Sequence, residues 1–435
     1  MSSEIAYSPY CKHIRDWVED NNMLPPSQNG FRQGYKTNKN AFILCCAIDK
    51  AHALGITLYV AFVDCSNAFP WTDHATLWLK LYCNGAGGPF FDWIHILYHH
   101  IRYCVRLDKD ISEEFKSLIG ILTGDSASPD LWTVFLADFR PPSDEADIIL
   151  GGTAIGNLEQ ADDMVLFSST AIGLQKKLNY MWHYGSVNFL LVNIIKTLAM
   201  IFGPIPKNVC SFHFDGIPIK FTDEYTYVGI TFVSNFRNIF AKQYQNKALK
   251  ARTIANAIFS IESFIGSLPP LQGKRLYNGR VDPHLVAACE ISLDVDPLLL
   301  APMQKVQHTF LRRLLGLNPR SMCAVLYTET GVLPLAYRRI ILALKYLLYI
   351  LSLPQSHLTN CAFRECELLH AAAKPSWLGD LVVVLDRLPY VPPVYDPLLL
   401  TEASVTKIMT DVNLSMCLHL DTAINSLSKG QLLYG

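Results

Sequence analysis

Charge is scarce in this 435-residue chain: Asp, Glu, Lys and Arg make up 17% of it, against about 25% in an ordinary globular protein. The 37 basic and 38 acidic side chains nearly cancel, leaving −1 with histidine neutral. That balance excludes a polycation that holds nucleic acid by bulk charge alone. Cysteine is also sparse, twelve residues with no Cys-x-x-Cys pair, which excludes a disulfide-stapled scaffold. The most lipid-like stretch, Ile340 to Leu353, is 14 residues long and carries Lys345, short of the roughly 20 that a membrane helix needs. The opening residues lack the apolar segment of a secretory leader, so the expected setting is intracellular, with no membrane partner. Glycine-rich phosphate loops are missing too: Gly85, Gly87 and Gly88 read as a connection between helices. What remains is a chain 50% hydrophobic, long enough for two or three domains around a large core.

Periodicity divides the chain into an α/β part and a helical part. Helical spacing is read over Tyr10 to Glu19, Asn38 to Leu54, Ala75 to Tyr82, Phe90 to Ile101, Asp130 to Phe139 and Ala171 to Asn188. Short apolar runs rich in β-branched and aromatic residues read as strands. They are Ile56 to Val63, Tyr103 to Leu107, Ile148 to Leu150, Met164 to Phe167 and Thr197 to Phe202, with a strand pair over Tyr225 to Phe232. Ser128 and Pro129 are expected to open their helix as cap and first residue. From Ala241 the pattern is almost wholly helical, until prolines at 389, 392, 393 and 397 loosen it. Between Arg237 and Arg320 twelve Lys or Arg stand against five acids, a local basic excess of the kind that tracks a phosphate backbone. Cys45 and Cys46 are expected in the core. His357, Cys361, Cys366 and His370 fall on one helix at spacings unlike a zinc site, so packing is expected there.

Two places set carboxylates at the ends of apolar strands. Asp64 follows the run from Leu58 to Val63, and Asp162 and Asp163 sit where the chain turns into Met164 to Phe167. Charge so close to an apolar strand is costly unless something pairs with it. Hard divalent cations do so and leave room for phosphates; two of them can activate an attacking hydroxyl and stabilise a leaving oxygen. Alone, an Asp-Asp pair at a turn is more commonly a solvated hairpin tip.

The neighbours of these acids change their meaning. Phe62 to Phe69 (FVDCSNAF), Gly120 to Pro129 (GILTGDSASP) and Glu159 to Phe167 (EQADDMVLF) resemble motifs A, B and C of reverse transcriptases from non-LTR, LINE-like retrotransposons. Gly30 to Thr37 (GFRQGYKT) is similar to the segment upstream of motif A, Val192 to Thr197 (VNIIKT) to motif D, and Tyr227 to Ile230 (YVGI) to motif E. The six blocks span roughly residues 28 to 232 in family order.

The resemblance implies a right-hand polymerase of mixed α/β (α+β) class with partial fingers. Residues 1–56 would be residual fingers helices, 57–235 the palm, 236–345 a basic helical thumb and 346–435 a helical extension. It implies an RNA-directed DNA polymerase that adds dNTPs to a DNA primer on an RNA template with two Mg²⁺ or Mn²⁺ ions, and a nuclear site of action. Asp64, Asp162 and Asp163 would be the catalytic acids and metal ligands. Cys65 would offer its carbonyl near the nucleotide, and Phe69 would be the gate against a 2′-hydroxyl. Thr123 and Gly124 would face the nucleotide, Gly124 because a Cβ would obstruct close approach. Lys196 would serve the departing pyrophosphate, and Tyr227, Val228 and Gly229 would grip the primer.

Three positions depart from the family pattern: Gln160 replaces an aromatic before Ala161, Thr123 replaces a Gln before Gly124, and Pro70 follows Phe69. The basic finger motifs that precede the GFR segment in such enzymes are not seen, so a polymerase core truncated at its N-terminus is expected. The same departures motivate an alternative, a relic that binds nucleic acid without polymerising.

Overall fold

The computed structural model describes residues 12–392 and 396–426. Tyr10 and Cys11 of the first expected helix, and Pro393, lie outside them; residues 12–20 are helical. The structure mixes helix and sheet, with 51% of it helical, and divides into two units. One comprises residues up to Asn40, Gly55–Ile149 and Thr153–Thr222; the other comprises Ala41–Leu54, Leu150–Gly152 and the chain from Asp223 on.

The first unit is built on a five-stranded sheet. Its strands are β1 (Leu58–Asp64), β2 (Asn157–Gln160), β3 (Asp163–Ser168), β4 (Leu198–Phe202) and β5 (Lys220–Phe221), in spatial order β5-β4-β1-β3-β2. All neighbours run antiparallel except β4 and β5. Tyr59, Ala61 and Val63 of β1 join a core that includes Leu131, Trp132, Leu174 and Leu178. Val60 and Phe62, on the opposite face, are at most 1% exposed. Burial on both faces explains why this strand reads as a continuous apolar run rather than an alternating one.

Helix α1 (Asn38–Leu54) has the expected bounds, and α2 (His74–Cys83), α3 (Gly88–His100), α4 (Ser128–Phe135) and α5 (Ala171–Val187) differ from expectation mainly at their ends. Asp73 caps α2 by accepting from Thr76 N at 2.7 Å, and Thr170 caps α5 by accepting from Gly173 N. Ser128, expected as a cap, is instead the first helical residue. Ala127 stands before it without a side-chain cap, and Ser128 Oγ donates to Asp125 at 3.4 Å. Helix α4 stops at Phe135 because the next amides bond three residues back, Ala137 to Val134 and Phe139 to Leu136, which tightens the chain out of α-helix. The strand expected over Tyr103 to Leu107 is reduced to a single bridge of Tyr103 with Phe115 and an exposed two-residue pairing of Arg106–Leu107 with Asp110–Ile111. Isolated hairpins of that size are marginal.

The second unit opens with a hairpin, β6 (Glu224–Tyr227) against β7 (Ile230–Val233). Val228 and Gly229 turn it with φ of 43° and 82°, the double positive φ of a type I′ turn. Long helices follow: α6 (Ala241–Ser260), α7 (Pro297–Leu314), α8 (Leu335–Ser352), α9 (Leu358–Ala371), α10 (Trp377–Asp386) and α11 (Glu402–Asn425). Helix α8 buries most of its residues and leaves Lys345 in water. No helix among the described residues is long and apolar enough to cross a membrane. Cys46 and Cys366 are buried thiols with sulfurs 3.3 Å apart. His357 caps α9 through its ring nitrogen, and Cys361 and Cys366 pack inward from it.

One buried ion pair ties helix to sheet in the first unit. Lys177 of α5 bonds Asp147, with side chains 2% and 5% exposed, and also donates to the Phe167 carbonyl of β3 at 3.2 Å. Removing one member would strand the other charge away from water, which typically costs about 3–5 kcal/mol. Lys177→Met should therefore destabilise the protein by about that amount, read from the urea midpoint at constant m-value.

Candidate active site

The expected acids meet at one end of the sheet. In the register of β1 against β3, Asp64 lies directly opposite Asp163; side chains of such partners begin about 5 Å apart. Asp162 precedes Asp163 in the two-residue turn, Ala161-Asp162, that joins β2 to β3. Ala161 takes φ 59° there, a conformation uncommon outside glycine. Charge repulsion is visible in the protonation of these groups. The carboxyl of Asp163 is pushed up to about 6, first by loss of water and then by the charges of Asp162 and Asp64. That of Asp162 is also raised, by burial and then by Asp64. The buried Cys65 thiol is raised by burial and by all three carboxylates, so the four residues share one neighbourhood.

No group of three or more His, Cys, Asp or Glu side chains among the described residues is arranged to hold a metal ion. Asp163 is the first residue of β3, paired with Asp64, and Asp162 is the last residue of the turn before it, close enough for the Asp64 charge to act on its carboxyl. The donor set nonetheless fits a hard cation in kind. It consists of three carboxylates, two of them raised by burial and by their neighbours' charge, with Lys196 Nζ 3.8 Å from Asp64.

The segment that carries Lys196 is stitched to β1. Ser66 N donates to Leu191 O and Asn193 N to Asp64 O, each at 2.8 Å, and Asp64 N donates to Thr197 Oγ1 at 3.3 Å. Lys196 itself is 70% exposed at its side chain, free to move over the acids. Phe69 is half-buried, its ring centroid 6.2 Å from Phe31 and 5.9 Å from Trp132. Its carbonyl accepts from Ile121 N at 2.8 Å, tying motif A to the loop before α4. Thr123 and Gly124 are exposed on that loop. Gly124 has φ 86°, and nothing in the chain lies within 4 Å of where its Cβ would be. The backbone conformation, rather than a crowded neighbour, calls for glycine here. Tyr227, Val228 and Gly229 belong to the β6–β7 hairpin of the second unit, with Tyr227 2% exposed.

Sequence reasoning missed the strap beneath the acids. Ser27 to Gly30 lies alongside β2: Glu159 N donates to Ser27 O at 2.9 Å, and Asn29 N donates to Glu159 O at 2.8 Å. Asn40 Nδ2 donates to the same carbonyl, and Gln28 Oε1 accepts from Ala161 N at 3.0 Å. The one available signal was a polar run, Ser27-Gln28-Asn29, before the GFR segment. Glu159 is fully buried within this strap. Burial raises its carboxyl to about 7, against the opposing pull of hydrogen bonds from Asn157 and Ser27.

A carboxyl whose folded-state pKa is raised stabilises the fold fully below its unfolded pKa and loses that contribution as pH climbs through the folded value. For Glu159 the window runs from about 4.5 to about 7. Glu159→Gln, which cannot ionise, should match the wild type near pH 4 and become the more stable protein above pH 7. The gap should reach about 3 kcal/mol, measured by chemical denaturation across that range.

Comparison with known proteins gives the site a context. No family model matches the chain. Over 222 residues it is 30% identical to the retrovirus-related Pol polyprotein from type-2 retrotransposable element R2DM of Drosophila melanogaster, a span of 49% of this chain and 21% of that protein. It is 23% identical over 178 residues to the Pol polyprotein from type-1 retrotransposable element R2 of Nasonia vitripennis, covering 41% of this chain and 17% of the other. The matched spans are thus about a fifth of those relatives' length. Among solved structures, telomerase from Candida albicans in complex with a TWJ fragment of telomeric RNA aligns over 93% of this chain and 57% of its own, at 11% identity and a TM-score of 0.41. Over the matched spans the chain is similar to the Pol polyproteins of R2 retrotransposable elements, the kind of protein its ordered motifs resemble.

Proposed function

We propose that the chain is the polymerising core of a retrotransposon reverse transcriptase, extending a DNA primer with dNTPs on an RNA template. The observation that carries this reading is the meeting of Asp64 and Asp163 across β1 and β3, with Asp162 beside them, at the end of an otherwise apolar sheet. In this reading residues 57–235 act as palm and 236–345 as thumb. Asp64, Asp162 and Asp163 would hold two divalent cations, Mg²⁺ or Mn²⁺, which supply Lewis-acid activation of the primer hydroxyl and of the leaving oxygen.

The chain's own groups complete the chemistry. Lys196 has the reach to neutralise pyrophosphate oxygens as they leave, because its side chain stands in solvent 3.8 Å from Asp64. Phe69, wedged between Phe31 and Trp132, would present a ring that leaves no space for a 2′-hydroxyl. The Cys65 carbonyl and the exposed Thr123-Gly124 loop would line the nucleotide, and the Tyr227 to Gly229 hairpin would steer the primer end.

The charge distribution of the second unit supports a duplex-binding role. None of the twelve cations from Arg237 to Arg320 is buried. Of the five acids among them, Asp282 and Asp294 are tied up by Arg338 and Arg339, Glu262 by Arg313, and Asp296 caps α7. The outward surface is therefore more basic than the count suggests, which suits phosphate contacts.

Primer extension on an RNA template tests the proposal. The wild type should incorporate dNTPs with Mg²⁺ or Mn²⁺. Asp162→Asn should reduce incorporation to background while leaving the circular dichroism and thermal midpoint intact. Salt-dependent duplex binding without incorporation would instead favour the binding-only relic, the reading that Thr123 and Gln160 motivate. In an active protein, Phe69→Ala should raise the ratio of ribonucleotide to deoxynucleotide incorporation, scored by competitive single-nucleotide addition. An unchanged ratio would remove Phe69 from the gate role.

A further inference from the structure

Gln28 is completely buried, and only one end of its amide is used. Oε1 accepts two backbone amides, Gly30 N at 2.7 Å and Ala161 N at 3.0 Å, while Nε2 has no hydrogen-bond partner among the described residues. A glutamine chosen for packing or for general polarity would be expected to satisfy both ends when buried. This one acts as a single acceptor shared between two chain segments. One is the strap Ser27–Gly30; the other is the first residue of the turn that delivers Asp162 and Asp163.

The contact is close on the strap side as well. A Cβ on Gly30 would lie 2.2 Å from Ala161 N, so the glycine lets the two backbones touch. Ala161 is held at φ 59°, a conformation that surrounding structure must over-determine in order to persist. Its amide donates to the Gln28 oxygen. Around this point the outer strand of the hairpin is pinned by Ser27 O, Asn29 N and Asn40 Nδ2, so the turn rests on a rigid floor.

We propose that Gln28 is a positioning residue of the acidic site: by capping the Ala161 amide it fixes the turn, and thereby the direction in which Asp162 and Asp163 present their carboxylates. It touches neither reacting atoms nor substrate. The cation-binding part of this inference rests on the proposed function above, whereas the fixing of the turn stands on geometry alone. Removal of the acceptor leaves a buried N–H unpaired in a residue already in an unfavourable conformation, and the turn relaxes. Groups that orient ligating side chains typically contribute about 10–100-fold to metal affinity.

The test compares the full-length wild type with Gln28→Met, which keeps the side chain's bulk without an acceptor, and with Gly30→Ala, which pushes the strap away from the turn. Two readouts are taken: Mn²⁺ affinity by paramagnetic resonance, and hydrogen exchange of a peptide spanning residues 157–166 against one spanning 198–202. Both variants should bind Mn²⁺ at least about 10-fold more weakly and exchange faster at 157–166 with no change at 198–202. Unchanged exchange at 157–166 overturns the proposal, and so does unchanged Mn²⁺ affinity. Loss of protection at both peptides also overturns it, because Gln28 would then serve the core at large. A wild type that binds no Mn²⁺ defeats the proposed function instead, and the exchange measurement still decides whether Gln28 holds the turn.

Discussion

Repulsion between Asp64 and Asp163 across β1 and β3 is the constraint around which the first unit is arranged. Like charges directly opposite each other in an antiparallel pair oppose sheet formation, and here they stand at the end of strands whose other side chains are buried. The four apolar pairs behind them, from Val63 with Met164 to Val60 with Phe167, set a register that the charges alone would reject. A slip of one residue would turn every core side chain of β1 to the other face. The hydrophobic pattern therefore holds two carboxylates together against their own repulsion. The raised carboxyl of Asp163 reflects its burial first, and then the charges of Asp162 and Asp64.

Everything else around the acids limits their freedom without neutralising them. The turn before Asp163 is bound to the Ser27–Gly30 strap, the segment before Lys196 is sewn to the end of β1, and the loop ahead of α4 hangs from the Phe69 carbonyl. These ties are mostly backbone to backbone, so they fix direction and contribute little charge. Among the described residues the ion-pair partner of Asp64 is Lys196, which is long, exposed and 3.8 Å away, a weak partner in water. An acidic cluster that is rigid in its backbone and undercompensated in its charge is suited to a cationic ligand. It is poorly suited to being a mere surface turn.

Much of this was legible from residue order alone, for identifiable reasons. β1 announced itself because burial on both faces produces an unbroken apolar run, and α1 matched its expected bounds because Gly55, at φ 66°, ends it. The acids were found as neighbours of those runs. The strand β2 was not, since Asn157, Glu159 and Gln160 carry none of the β-branched or aromatic signal; its place is set by partners on both sides. Ser128 misled because a Ser-Pro pair reads equally well one position earlier, and helix starts shift by a residue when the cap is made elsewhere. The strap escaped notice because its importance lies in what Gln28 and Gly30 touch some 130 positions along the chain, which no local pattern encodes.

The scarcity of charge acquires a physical sense once each charged group is placed. Near-neutrality overall conceals a separation of roles. In the first unit, carboxylates are concentrated at the end of β1 and β3. In the second, the acids between Glu262 and Asp296 are largely consumed internally, two of them by arginines that lie outside that stretch, Arg338 and Arg339. Those arginines are absent from a window count that ends at Arg320, and the acids they neutralise are present in it. Counting along the chain thus understates how basic the outward surface of α6 and α7 is, because the local excess of seven treats buried and exposed charges alike. Field at a surface follows the charges that remain unpaired there. A chain with few charges can therefore present strong local fields when its ion pairs are segregated into the interior.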